Sequence, residues 1–286
     1  MTAFADRFWT SRDGLKLHFR DYAGNAARPP LLCLPGLTRN ARDFEDLANR
    51  LSGDWRVLCI DLRGRGESAY ARDAASYNPM QYTDDLAALF EQQGLERAVF
   101  VGTSLGGLIT MITAMTAPQR LAGVLLNDVG PEIDPAGLER IRTYVGQGRS
   151  FPTWMHAARA LEETQGDVFA HYRLPDWLAM AKRCMAVGGN GRIHFDYDMK
   201  IAEPIVDAPP DQPAVDLWPA IAALGDVPTL LLRGENSDVL APAVHQRMAG
   251  MLGRGEAVTV PGVGHAPMLD EPEAAAAIDR LLARVQ

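Results

Sequence analysis

Apolar residues along the chain gather in short runs at 31–34, 57–60, 98–101, 123–126, 229–232 and 257–260. Continuous rather than alternating hydrophobicity suits strands covered on both faces, as in a parallel sheet. Between the runs, apolar positions recur every three or four residues. Residues 40–52 place Phe44, Leu47, Ala48 and Leu51 on one face behind Asn40 as N-cap. Residues 79–93 start with Pro79 after Asn78, carry Leu86, Leu89 and Phe90, and end near Gly94. Further helices are predicted at 105–117, 242–252 and 273–285. The N-terminus reads as a hairpin: Phe8-Trp9-Thr10, a turn at Asp13-Gly14, then alternating Leu15, Leu17 and Phe19. Strands alternating with helices predict an α/β chain with a mostly parallel sheet flanked by helices.

The rhythm stops after Asn127-Asp128. From about 130 to 217 there are helical pieces at 138–145, 152–164 and 175–187 and a proline-rich exit at 208–213, with no strand-like run followed by a helix. The sheet resumes at Val227. We read 1–131 and 217–286 as two parts of one core domain. Residues 132–216 are then a helical cap over the C-terminal edge of the sheet, where open α/β sheets bind ligands.

Composition narrows the class. The 286 residues are 47% hydrophobic and 22% charged, as in a soluble globular chain. A formal charge of −8 argues against a nucleic-acid footprint or an anionic membrane surface. No apolar stretch approaches a membrane span, and the charged N-terminus has no signal-peptide core. Three cysteines without CxxC or Cys/His ligand spacing predict neither a disulfide framework nor a structural zinc site. A cytoplasmic protein, monomer or homodimer, is the expectation.

The chemistry begins at Gly102-Thr103-Ser104-Leu105-Gly106, a G-x-S-x-G between a buried strand and a helix. That context is a nucleophile elbow: the turn is too tight for flanking side chains, and the serine is pushed out over a helix N-terminus. A serine hydroxyl needs an adjacent base. His265, in the glycine-rich loop after the last strand, is the candidate; the other histidines lie in the hairpin, the insertion or a surface-type helix. The orienting carboxylate is expected at Asp238, after the 229–232 strand, which gives the chain order Ser104, Asp238, His265. Asp128, at the end of the preceding strand, is the rival, and Glu235 a third possibility. Backbone N–H groups of Leu37 and Leu105 are the expected oxyanion donors. Thr38, Arg39, Trp154, Met180 and Val239 are candidate substrate contacts. Most aromatic and methionine side chains of the insertion should form its own core.

These segments, LPGLTRNARDF, DLRGRGES, GTSLGG, RGENSDVLAP and GVGHAPMLDEP, occur in an order that resembles lidded bacterial serine hydrolases of the α/β-hydrolase fold across nearly the whole chain. The resemblance implies an eight-stranded, mostly parallel sheet with a helical cap after strand 6. It also implies cleavage of a small-molecule ester, lactone or thioester without a cofactor or metal. One departure is Pro35-Gly36 where relatives carry a His-Gly pair. Carbon–carbon bond hydrolysis or perhydrolysis with the same triad remains an alternative, as does a non-catalytic ligand-binding member of the fold. Gly64-Arg65-Gly66-Glu67-Ser68-Ala69 mimics a dinucleotide fingerprint, but no convincing helix opens behind it.

Overall fold

The structure, a computed structural model, describes residues 3–206 and 215–285. The proline-rich exit at 208–213 lies outside the described residues. In chain order the strands are β1 (Phe4–Thr10), β2 (Lys16–Tyr22), β3 (Leu31–Leu34), β4 (Val57–Asp61), β5 (Ala98–Thr103), β6 (Leu121–Asn127), β7 (Ser150–Phe151), β8 (Met185–Val187), β9 (Ile193–Phe195), β10 (Thr229–Gly234) and β11 (Gly255–Val260). The helices are α1 (Glu45–Leu51), α2 (Pro79–Gln93), α3 (Leu105–Thr116), α4 (Pro135–Tyr144), α5 (Trp154–Gln165), α6 (Leu174–Cys184), α7 (Glu203–Val206), α8 (Trp218–Leu224), α9 (Pro242–Met251) and α10 (Pro272–Leu282).

The main sheet has eight strands in the order β1-β2-β4-β3-β5-β6-β10-β11. β1 and β2 run antiparallel to their neighbours and the rest are parallel. The unbroken apolar runs are explained by burial on both faces. Leu32, Leu34, Leu58, Ile60, Phe100 and Leu126 pack on one side with α2, α3 and α8. Leu31, Cys33, Val57, Cys59, Val101 and Leu232 pack on the other with α1 and α10. Each fully buried leucine or valine contributes roughly 1.5–3 kcal/mol, so both layers hold the sheet. Edge strand β11 instead alternates between exposed and partly buried positions before ending at buried Val260.

The helix at 40–52 forms as a tight 3₁₀ turn, Ala41–Phe44, leading into α1; the Asn40 side chain accepts from the Arg42 N–H. α2 is capped as predicted, with Asn78 accepting from Gln81 N–H and Gly94 left-handed at φ 61°. α8, not anticipated from the pattern, packs its Ala220, Ile221 and Leu224 into the core beside α3. Seven residues starting at Trp218-Pro219 are too few to display a helical period clearly.

Between β6 and α8 the described residues form the segment read as the cap. Its helices α4, α5 and α6 accompany a small antiparallel sheet, β7-β9-β8, that the pattern did not predict. Strands of two or three residues leave no periodic signal. The helix read at 175–187 ends at Cys184, and Met185–Val187 become β8. The cap is anchored to the core by polar contacts. Arg42 Nη2 reaches Asp196 at 2.5 Å, Asn40 Nδ2 donates to the Arg183 carbonyl at 3.0 Å, and Tyr77 donates to Asp198 at 2.7 Å. The Gly64–Ala69 loop opens no helix. Arg65 bridges to Tyr197 of the cap, and its buried guanidinium donates to the Leu37 carbonyl at 2.9 Å. No helix among the described residues is long and apolar enough to cross a membrane.

Candidate active site

Strand order brings the chemistry together. The chain runs from β3 to β4 on one side and then returns to place β5 on the other side of β3. Loops leaving β3 and β5 therefore diverge at a topological switch point, the usual place for a ligand crevice. Leu34 pairs with Gly102, so the Pro35–Thr38 loop and the Ser104 turn rise side by side. Thr103 pairs with Asn127 on β6, so residue 128 emerges next to residue 104.

Ser104 sits at φ 51°, ψ −113°, a conformation that costs a non-glycine residue on the order of 1–3 kcal/mol. Neighbouring contacts hold it there. A Cβ on Gly102 would lie 2.5 Å from the Gly106 carbonyl, and one on Gly106 would lie 2.1 Å from the Leu34 carbonyl. Those approaches explain why glycine flanks the serine. The Ser104 N–H donates to the Asn127 carbonyl at 3.0 Å. Its Oγ is 2.9 Å from His265 Nε2.

The carboxylate behind His265 is Asp128. Its Oδ2 lies 2.7 Å from His265 Nδ1 and accepts from Ser237 Oγ at 2.7 Å; its Oδ1 accepts from the Gly234 N–H at 2.9 Å. Asp128 is fully buried, and three donors satisfy it. A carboxylate oxygen accepts, so Nδ1 carries the imidazole proton and Nε2 is left to accept from Ser104. This overturns the expectation for Asp238. Asp238 makes a bidentate pair with Arg140 of α4, which holds its carboxyl below the ordinary range. Glu235 accepts instead from the Gly262 N–H. The reason is geometric: β6 neighbours β5, whereas β10 lies one strand further away, and Ser237 rather than Asp238 turns toward the site. Asn127 braces the histidine loop by donating to the Pro267 carbonyl at 2.8 Å. Sequence reasoning gave Asn127 and Ser237 no role; neither contact has a local signal, because each partner comes from a distant segment.

Leu37 lies inside a turn closed by the Arg39 N–H on the Gly36 carbonyl, and Leu105 opens α3 directly after Ser104. Both line or adjoin the serine: Leu37 borders its cavity, and Leu105 is the next residue. A hydroxyl, an imidazole and a carboxylate in this hydrogen-bonded series suit a nucleophile activated by a base and held by an acceptor.

A cavity of about 100 Å³ lies over Ser104 and His265, walled by Leu37, Thr38, Arg39, Phe44, Ile141, Tyr144, Gln165, Phe169, Met268 and Leu269. A second, of about 290 Å³, extends under the cap and shares Thr38, Arg39, Tyr144 and Gln165 with the first. Thr38 and Arg39, two of the candidate substrate contacts, line both cavities. Trp154, Met180 and Val239 line neither cavity. Met180 is buried in the cap's own core, Trp154 packs against that core, and Val239 is buried where α4 passes closely at Gly137. Helical spacing defines a face but not what that face meets. Among the described residues no group of three His, Cys, Asp or Glu side chains is placed to hold a metal ion.

A family model described as the alpha/beta hydrolase family matches residues 31–278. A 3-hydroxybutyrate-oligomer hydrolase of Cupriavidus necator is 35% identical over 259 residues, 87% of each chain. A crystal structure of an alpha/beta hydrolase from Novosphingobium aromaticivorans DSM 12444 is 61% identical, covers both chains completely and has a TM-score of 0.95. A 2-(acetamidomethylene)succinate hydrolase of Mesorhizobium japonicum is 26% identical over 237 residues, covering 83% of this chain and 81% of that protein.

Proposed function

The chain belongs to the α/β-hydrolase family, and from that premise we propose that it is a serine hydrolase cleaving a carboxylic ester through an acyl-enzyme on Ser104. The observation that carries this reading is the hydrogen-bonded series from Ser104 Oγ through His265 to Asp128, at the floor of a cavity closed by the cap. In the proposed mechanism, His265 Nε2 takes the Ser104 proton as the oxygen attacks the ester carbonyl. The Leu37 and Leu105 N–H groups stabilise the tetrahedral oxyanion, and the positive end of α3 adds to that field. His265 then gives the proton to the leaving alcohol, and water repeats the sequence on the acyl group. Asp128 keeps the tautomer and stabilises the imidazolium.

The relative from Cupriavidus necator is by name a hydrolase of 3-hydroxybutyrate oligomers, and oligomers of a hydroxy acid are joined by ester bonds. That supports an ester over a carbon–carbon bond. The decisive experiment pairs a fluorophosphonate with a panel of p-nitrophenyl esters and a vinylogous diketone. Expected are an adduct on Ser104 and turnover of the esters. Absence of any adduct favours a binding protein, and turnover of the diketone alone favours carbon–carbon cleavage.

A further inference from the structure

The second cavity has a lining of unusual charge for this molecule. Among the described residues, three arginines line it, Arg39, Arg140 and Arg149, and no aspartate or glutamate does. The chain as a whole carries a formal charge of −8, so this lining opposes the average sign of the protein. Arg39 gives its Nε and Nη2 to Asp43 at 2.6 and 2.7 Å, and Arg140 is held in the same edge-on manner by Asp238. Both are therefore fixed in place by carboxylates bound along one edge, which leaves Nη1 outside those pairs. Arg149 differs. Among the described residues it has no carboxylate partner; its guanidinium lies 5.5 Å from the centre of the Phe151 ring, at an exposed position on the cavity wall.

The rest of the lining divides by chemistry. Leu161, Phe151 and Phe195 provide apolar wall, while Thr143, Gln147 and Tyr144 carry neutral polar groups. The two cavities share Thr38, Arg39, Tyr144 and Gln165, and the apolar wall lies in the second one beside the arginines, a lining that suits a short aliphatic chain with an anionic end. A planar carboxylate suits the guanidinium fork better than a point-like anion does.

We infer that the ester cleaved here carries a free carboxylate, which the arginine-bordered chamber under the cap receives while the ester carbonyl lies at Ser104. The inference rests on the hydrolase reading above and specifies its substrate class. It excludes simple neutral esters as the preferred substrates. Arg149 provides the uncompensated charge, and Arg39, shared by both cavities, stands between that end and the reacting one.

The test compares p-nitrophenyl hexanoate with mono-p-nitrophenyl adipate, of similar length but ending in a carboxylate, on the wild type, Arg149→Gln and Arg149→Glu. The quantity read is the ratio of kcat/KM for the acidic ester over the neutral one. A charge-assisted contact predicts a fall in that ratio on the order of 10-fold in Arg149→Gln, with a larger fall on charge reversal. A ratio that Arg149→Glu lowers by less than about 3-fold overturns the inference. Failure of the hydrolase reading looks different: the wild type turns over neither ester. In that event, calorimetry with monomethyl adipate in the Ser104→Ala background decides the chamber by itself. Weaker binding after Arg149→Glu supports it, and equal or undetectable binding in both proteins overturns it.

Discussion

Asp128 and His265 are 137 positions apart in the chain, yet the Asp128 carboxylate meets the imidazole Nδ1 at 2.7 Å. Asp128 leaves the end of β6, before the cap begins, and His265 follows β11. The histidine loop has to pass over the end of β10 to make this contact. It is guided there by the Glu235 N–H on the Val260 carbonyl and the Asn236 N–H on the Val263 carbonyl. The cap takes part too, since the Gly264 N–H donates to the Val168 carbonyl at 2.8 Å.

This arrangement separates two carboxylates that the sequence ranks the other way round. Asp128→Asn should lower kcat on a neutral p-nitrophenyl ester by roughly 10³–10⁴-fold, through loss of the correct tautomer. Asp238→Asn should cost less than about 10-fold on the same ester, because its partner is Arg140 and not the histidine. Steady-state kinetics on both variants check this; the opposite ranking would return the orienting role to Asp238.

Stability should depend heavily on one buried pair. The Arg63 side chain is 0% exposed and donates from Nε and Nη2 to Asp85, itself 3% exposed, at 2.7 and 2.5 Å. Asp85→Ala leaves a buried guanidinium with Asp13 as its remaining carboxylate. A loss of roughly 3 kcal/mol is expected, read from urea unfolding, because a broken buried pair strands a charge in low dielectric. A change within experimental error would mean that water reaches Arg63.

A pH dependence follows from His18. Burial disfavours its charge, but hydrogen bonds to Asp61 at 2.7 Å and Asp6 at 2.9 Å outweigh that and raise its pKa above the ordinary 6.5. A histidine whose pKa rises on folding contributes its full stabilisation below the unfolded value and loses it as pH climbs through the folded one. His18→Gln should therefore destabilise the protein more at a pH near 6, below the ordinary value, than at alkaline pH, past the raised one. Tm values of both proteins across that interval provide the measurement, and a constant difference would refute the assignment.

Much of the molecule could be read from local order alone. Strands buried on both faces need unbroken apolar runs, and a serine in a strained turn needs glycines where carbonyls approach its neighbours. Those demands act within a few residues, so they leave a mark in the string of letters at 31–34, 98–101 and around Ser104. The choice between Asp128 and Asp238 leaves no such mark. It depends on β6 lying between β5 and β10, and on a loop that turns Ser237 inward and Asp238 toward α4. The cap was undecided for the same reason. Periodicity can say that Met180 and Tyr144 each lie on a helix, but contact with distant segments sends Met180 into the cap's core and Tyr144 to the cavity wall. Side-chain roles set by neighbours far along the chain become visible when those neighbours pack.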